Sequence, residues 1–194
     1  MNKKTLIIFL VLLLILIIVL LVYFFIFRPS LQKNNEEMTD KGILEKEGYS
    51  IKLPEGWQEV ESVFGASATI VNAKEEIIEP NAQKINFRSY YSVINDNLAE
   101  NSPEDYFKKI TESLKQSFPD INIIKEEDKA AFGNKIHFIE TEIRQQDIDF
   151  SVLLAVITKD KNVWTISFNT LKSNWEKYKE LFYQIAGDFK IKTI

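Results

Sequence analysis

The chain offers a single imidazole, His137, within the run KIHFI at positions 135–139, and no cysteine at all. One histidine cannot build a multi-histidine metal site. A nucleophilic triad around it would need a positioned serine and carboxylate, and no G-x-S-x-G elbow is present. His137 is therefore expected to be structural or superficial. Without cysteine there is no thiolate nucleophile, thiolate zinc site, disulfide framework or lipidated thiol. Carboxylates are the remaining chemistry. Asp147 and Asp149 alternate at the start of an expected strand, so both point to one face and could offer oxygen to Ca²⁺ or Mg²⁺; the plainer expectation is a solvated hairpin end. Glu126, Glu127 and Asp128 read as a solvated acidic loop, as do Glu75, Glu76 and Glu79. The six scattered glycines form no phosphate loop or dinucleotide fingerprint. Trp57, Trp164 and Trp175 could line a groove, but two of them fall on apolar faces and core positions are expected. No catalytic residue, metal ligand or cofactor site is assigned.

The elements that would carry these residues follow from pattern. Tyr49, Ile51 and Leu53 alternate with polar neighbours, which is a strand with one apolar face, closed by Pro54. Short strands are expected at 58–63 and 68–72, with a polar loop over 73–84. The segment 84–94 alternates Ile85, Phe87, Tyr91 and Val93 against a polar face that includes Arg88 and Tyr90. An exposed Tyr and Arg on a rigid strand are the residue types that anchor partners, so Arg88 and Tyr90 form the candidate partner surface. Ser102, Pro103, Glu104 and Asp105 open a helix with an N-cap, a first-turn proline and dipole-matching acids. Its stripe is Tyr106, Phe107, Ile110 and Leu114, and Pro119 ends it. Three strands are expected at 135–144, 148–158 and 163–170, the middle one apolar on both faces and therefore covered on both sides. A last helix opens with capping-box spacing from Ser173 to Glu176 and stops at Gly187. A short strand closes the chain. The order describes an α+β fold, an antiparallel sheet sandwiched by helices.

The N-terminus is of another kind. Thr5 to Phe27 contains no charge, Gly, Pro or Ala. Each Leu, Ile, Val or Phe near the centre of a span favours insertion by roughly 0.5 kcal/mol. The 23 residues would reach about 34 Å as a helix, against a hydrocarbon core of about 30 Å. A cleaved signal peptide would be shorter and followed by small residues, whereas Tyr23 to Arg28 offers none. No small-residue motif suggests helix pairing in the bilayer. Lys3 and Lys4 precede the span, which favours a cytoplasmic N-terminus and a C-terminal domain outside the cell membrane. The expected division is 1–27 tail and transmembrane anchor, 28–47 flexible tether, and 48–194 folded domain. Three of the 24 basic residues lie in the first 28 positions, leaving 21 against 28 acidic residues and a net charge of −7 beyond them. An acidic domain is a poor partner for nucleic acid or anionic lipid. The expected partners are the bilayer, through the helix, and another envelope protein.

The segments YSIKLPEGW, YYSVIND, SPEDYFKKI, NVWTISF and FYQIAGDFKI resemble the PsbP-like (Mog/PsbP) superfamily over about 48–192. That resemblance implies an antiparallel sheet between helices. It carries no shared activity, since members bind different partners, and no family site residue transfers to this chain. The leading expectation is a noncatalytic interaction module. The alternatives are an envelope enzyme working through carboxylates and a small-molecule or metal carrier.

Overall fold

The computed structural model describes residues 42–62, 65–131 and 134–192. Among these, the strands form two antiparallel sheets. A three-stranded sheet holds β1 (Ile43–Lys46), β2 (Tyr49–Lys52) and β10 (Lys190–Ile191), in the order β1-β2-β10. A seven-stranded sheet holds β3 (Trp57–Val60), β4 (Ala68–Asn72), β5 (Tyr90–Asn97), β6 (Asn122–Ala131), β7 (Asn134–Gln145), β8 (Ile148–Lys159) and β9 (Asn162–Leu171). Its order is β3-β4-β5-β9-β8-β7-β6. The helices are α1 (Pro80–Lys84), α2 (Pro103–Ser117) and α3 (Trp175–Gly187).

The large sheet is buried on both faces. On one, Tyr90, Ile94, Ile139, Val152, Leu154 and Val156 meet Phe107, Ile110 and Leu114 of α2, with Ala82 and Phe87. On the other, Tyr91, Val93, Phe138, Leu153, Ile166 and Phe168 meet Trp175, Tyr178, Phe182 and Ile185 of α3. Tyr49 and Ile51 of the small sheet join this second core. The α+β class, the antiparallel pairing and the doubly covered β8 are as the residue pattern indicated.

Helix α2 begins as its sequence dictates: the Ser102 hydroxyl accepts the Asp105 amide at 3.1 Å. Elsewhere tertiary contacts override local pattern. Ile43–Lys46, expected in the tether, is strand β1, paired with β2 around Gly48, whose φ of 81° suits glycine. The 73–84 loop contains α1, with Pro80 in its first turn. The strand expected from 84 begins only at Tyr90, because Asn86 turns into the left-handed region at φ 49° and breaks the alternation. The acidic run at 126–128 is not a loop but the middle of edge strand β6. Its central inward positions, Glu126 and Asp128, are polar, so no apolar period betrayed it. The capping box at Ser173 does not form; a 3₁₀ turn (Lys172–Asn174) leads into α3 without a side-chain cap.

Among the described residues no helix is long and apolar enough to cross a membrane. The expected span from Thr5 to Phe27 lies outside the described residues.

Candidate functional site

The two residues singled out as a partner surface are not presented together. Tyr90 lies on interior strand β5, between Val71 of β4 and Asn169 of β9. It is 5% exposed and meets the Phe87 ring edge-on at 6.0 Å. With α1 and its loop packed over that face, Tyr90 is core, and burial pushes its phenol well above the usual range. Arg88 precedes the strand, half-buried, its Nε donating to the Glu75 carbonyl at 3.5 Å.

Glu75 corrects a second expectation. It is buried, and its carboxylate accepts the Ser89 amide, the Ser89 hydroxyl at 2.8 Å and Asn174 Nδ2 at 3.0 Å. Ser89 also shares a 2.7 Å hydrogen bond with Thr170. This carboxylate therefore fastens the 73–89 segment to β9 and to the entrance of α3. Farther along the segment, Gln83 Nε2 donates to the Ile77 carbonyl at 2.6 Å, and Ile78 beside it is 80% exposed.

A second buried carboxylate, Glu140 of β7, is 4% exposed. It accepts Trp175 Nε1 at 3.0 Å, Lys179 Nζ at 3.4 Å and the Tyr183 hydroxyl at 3.3 Å. The three donors are four residues apart along α3, one face of the helix. Burial, and then the Glu140 charge, push the Tyr183 phenol well up. Sequence reading missed Glu140 because its strand otherwise alternates normally; the matching donors at 175, 179 and 183 were the available signal.

His137 is also bonded on both sides. It is 7% exposed on β7, where Nδ1 lies 2.7 Å from Asp128 Oδ1 and Nε2 lies 3.0 Å from Glu126 Oε1. Its ring stacks on Phe107 of α2, 4.5 Å between centroids and 4° from parallel. Thr111 of α2 donates to the same Glu126 oxygen at 3.1 Å. Lys135 reaches Glu104, in the first turn of α2, at 2.6 Å and Asp128 at 3.6 Å. The hydrogen bond from His137 chiefly, and the Lys135 charge, hold the Asp128 carboxyl below its ordinary range. Lys135 does the same to Glu104 and is itself raised by it.

Asp147 and Asp149 sit at the β7–β8 turn, where Gln146 and Asp147 take left-handed backbone at φ 49° and 58°. Arg144 lies 3.6 Å from each carboxylate. Both are solvated, and among the described residues no group of three or more His, Cys, Asp or Glu is arranged to hold a metal ion. Trp57, Trp164 and Trp175 are all core.

The family model for PsbP matches residues 43–191. Three solved structures share the fold at low identity. CyanoP, the cyanobacterial PsbP of Synechocystis sp. PCC 6803, superposes with a TM-score of 0.56 at 16% identity, covering 84% of this chain and all of its own. LpqN of Mycobacterium tuberculosis, involved in cell envelope biogenesis, gives 0.61 at 11% identity, covering 75% of this chain and 83% of its own. The Pseudomonas aeruginosa protein PA94, of unknown function, gives 0.52 at 10% identity over 78% of this chain and 97% of its own. No curated protein matches the chain. A model spanning β1 through β10, with the α+β architecture above, shows that the chain belongs to the PsbP family.

Proposed function

We propose that this protein is a noncatalytic interaction module, held at the cell membrane by the apolar segment from Thr5 to Phe27, with its N-terminus cytoplasmic and its PsbP domain outside. The placement is supported by the uncharged length of that segment and by Lys3 and Lys4 ahead of it. It does not draw on the likeness to LpqN, which is a likeness of fold. The binding role is carried by one observation, the fastened segment 73–89. Glu75 and Gln83 hold its backbone, and it presents Ile78 almost fully to solvent with Arg88 half-buried in the same segment. A rigid display of an apolar side chain on a segment that also carries an arginine suits a partner contact, because little conformational freedom is lost on binding. The buried carboxylates Glu75 and Glu140 support the same reading. Donors from neighbouring elements already occupy them, which is structural use rather than proton transfer.

The test places a photo-crosslinking side chain at position 78 of the full-length chain in its own membrane, with position 147 as a control. A discrete adduct from 78, weakened by Arg88→Ala and absent from 147, is expected. Equal labelling from both positions would remove the segment as the contact surface. Loss of function from His137→Ala, Asp147→Ala or Asp149→Ala, with fold and partner recovery intact, would revive an envelope enzyme.

A further inference from the structure

We propose that His137 is a proton-operated clasp that fastens helix α2 to the edge of the large sheet. The geometry makes two demands on the ring. Nδ1 faces Asp128 and Nε2 faces Glu126, both on β6, at hydrogen-bond distance. Carboxylates only accept, so the ring must carry a proton on each nitrogen to satisfy both. The imidazolium is then bonded to the edge strand at both ends and stacked flat on Phe107 of α2, where a cation over an aromatic face is favoured. Glu126 passes the grip on, because its bonded oxygen also accepts the Thr111 hydroxyl of α2.

Loss of one ring proton has a directed consequence. The ring keeps its donor toward Asp128, which is the closer carboxylate and is also fastened by Lys135. Nε2 then turns a lone pair on Glu126 at 3.0 Å. Glu126 is 39% exposed and can swing to water, and it takes its acceptor away from Thr111. The stacking on Phe107 loses its charge component at the same step. The charged neighbours are Asp128 and Glu126 from β6, Lys135 from β7 itself and, through Lys135, Glu104 from α2. On β8 the ring's strand partner is apolar Val156. Glu127 sits between Glu126 and Asp128 on β6 and so points to the opposite face. Protonation thus tightens α2 on the sheet and deprotonation loosens it. The clasp does not depend on the membrane placement or on the proposed binding surface.

The test uses the full-length chain in detergent micelles with ring-labelled histidine. The single histidine yields one ring titration without ambiguity. Backbone amide shifts of Phe107 and Thr111 are followed over the same pH series. They are expected to move with the midpoint of the ring. In Glu126→Gln the ring still titrates, but the Thr111 amide should stay still, because a carboxamide can donate to the bare nitrogen or accept from the protonated one. Wild-type α2 amides that remain flat through the ring titration would overturn the clasp, whatever the variant does. So would a Glu126→Gln response equal to that of wild type.

Discussion

Glu140 is a buried carboxylate whose loss should be costly. Glu140→Ala leaves Trp175 Nε1 buried without an acceptor and parts β7 from three donors of α3. Lys179 is a third exposed and can turn to water, so the expected cost is at the low end for a broken buried pair, about 3 kcal/mol. Glu140→Gln keeps a carbonyl for Trp175 and should lose less. Urea denaturation of the two variants checks the order. The acid limb of stability belongs to the same scale. Asp128 and Glu104 are depressed by His137 and Lys135, and Glu127 by Lys125. A depressed carboxyl contributes stability above its unfolded pKa, near 4, and loses it as pH falls through the folded value. Lys135→Met removes the cation shared by Asp128 and Glu104, so stability measured against pH should fall less steeply on the acid side.

At the scale of elements, β1 sets the boundary of the folded domain. It pairs with β2 over Ile43–Lys46, and Leu44 packs against the second core. A chain beginning at Gly48 would expose the β2 edge and the apolar surface beneath Leu44. It should melt roughly 5 °C below one beginning at Lys41, as expected for a loss near 1 kcal/mol. Differential scanning calorimetry of the two truncations decides this. Helix α2 is held at its start by Ser102, and Ser102→Ala should cost about 1 kcal/mol. Its effect on amide exchange should concentrate in the first turn of α2.

The whole molecule has two sheets but shared packing. Tyr49 of β2 stacks on Phe189 at 5.1 Å, and Trp57 of β3 meets Phe182 of α3 at 6.2 Å. Tyr49 and Ile51 of β2 share one buried cluster with Phe182 and Ile185 of α3, so the small sheet cannot leave without opening the core under α3. Unfolding of the domain from Lys41 onward should be one transition, with tryptophan fluorescence and far-UV circular dichroism coincident. Separate midpoints would mean that β1, β2 and β10 melt on their own. In the intact cell, the proposed placement predicts that external protease digests the domain in spheroplasts, while carbonate leaves the protein in the membrane. Protection until the membrane is broken would reverse the orientation.

Local pattern alone determined the helix at Ser102–Pro119, the three long strands from 135 to 170 and the α+β class, because caps, turns and a period of two are short-range signals. It also marked the tryptophans as core. Tertiary structure decided the rest. Tyr90 looked like an exposed anchor because its segment alternates, but β5 is interior, and covering both faces of a sheet erases the meaning of alternation. Glu75 and the Glu126–Asp128 run looked solvated because acidic residues usually are. Glu75 is instead buried against donors from other elements, and Glu126 and Asp128 bracket the buried His137. The paired roles of His137 and Glu140 depend on which strands lie side by side and which helix covers them. Glu140 meets donors 35 to 43 residues away, beyond any local window, and His137 meets its carboxylates only because β6 and β7 pair as a hairpin under α2.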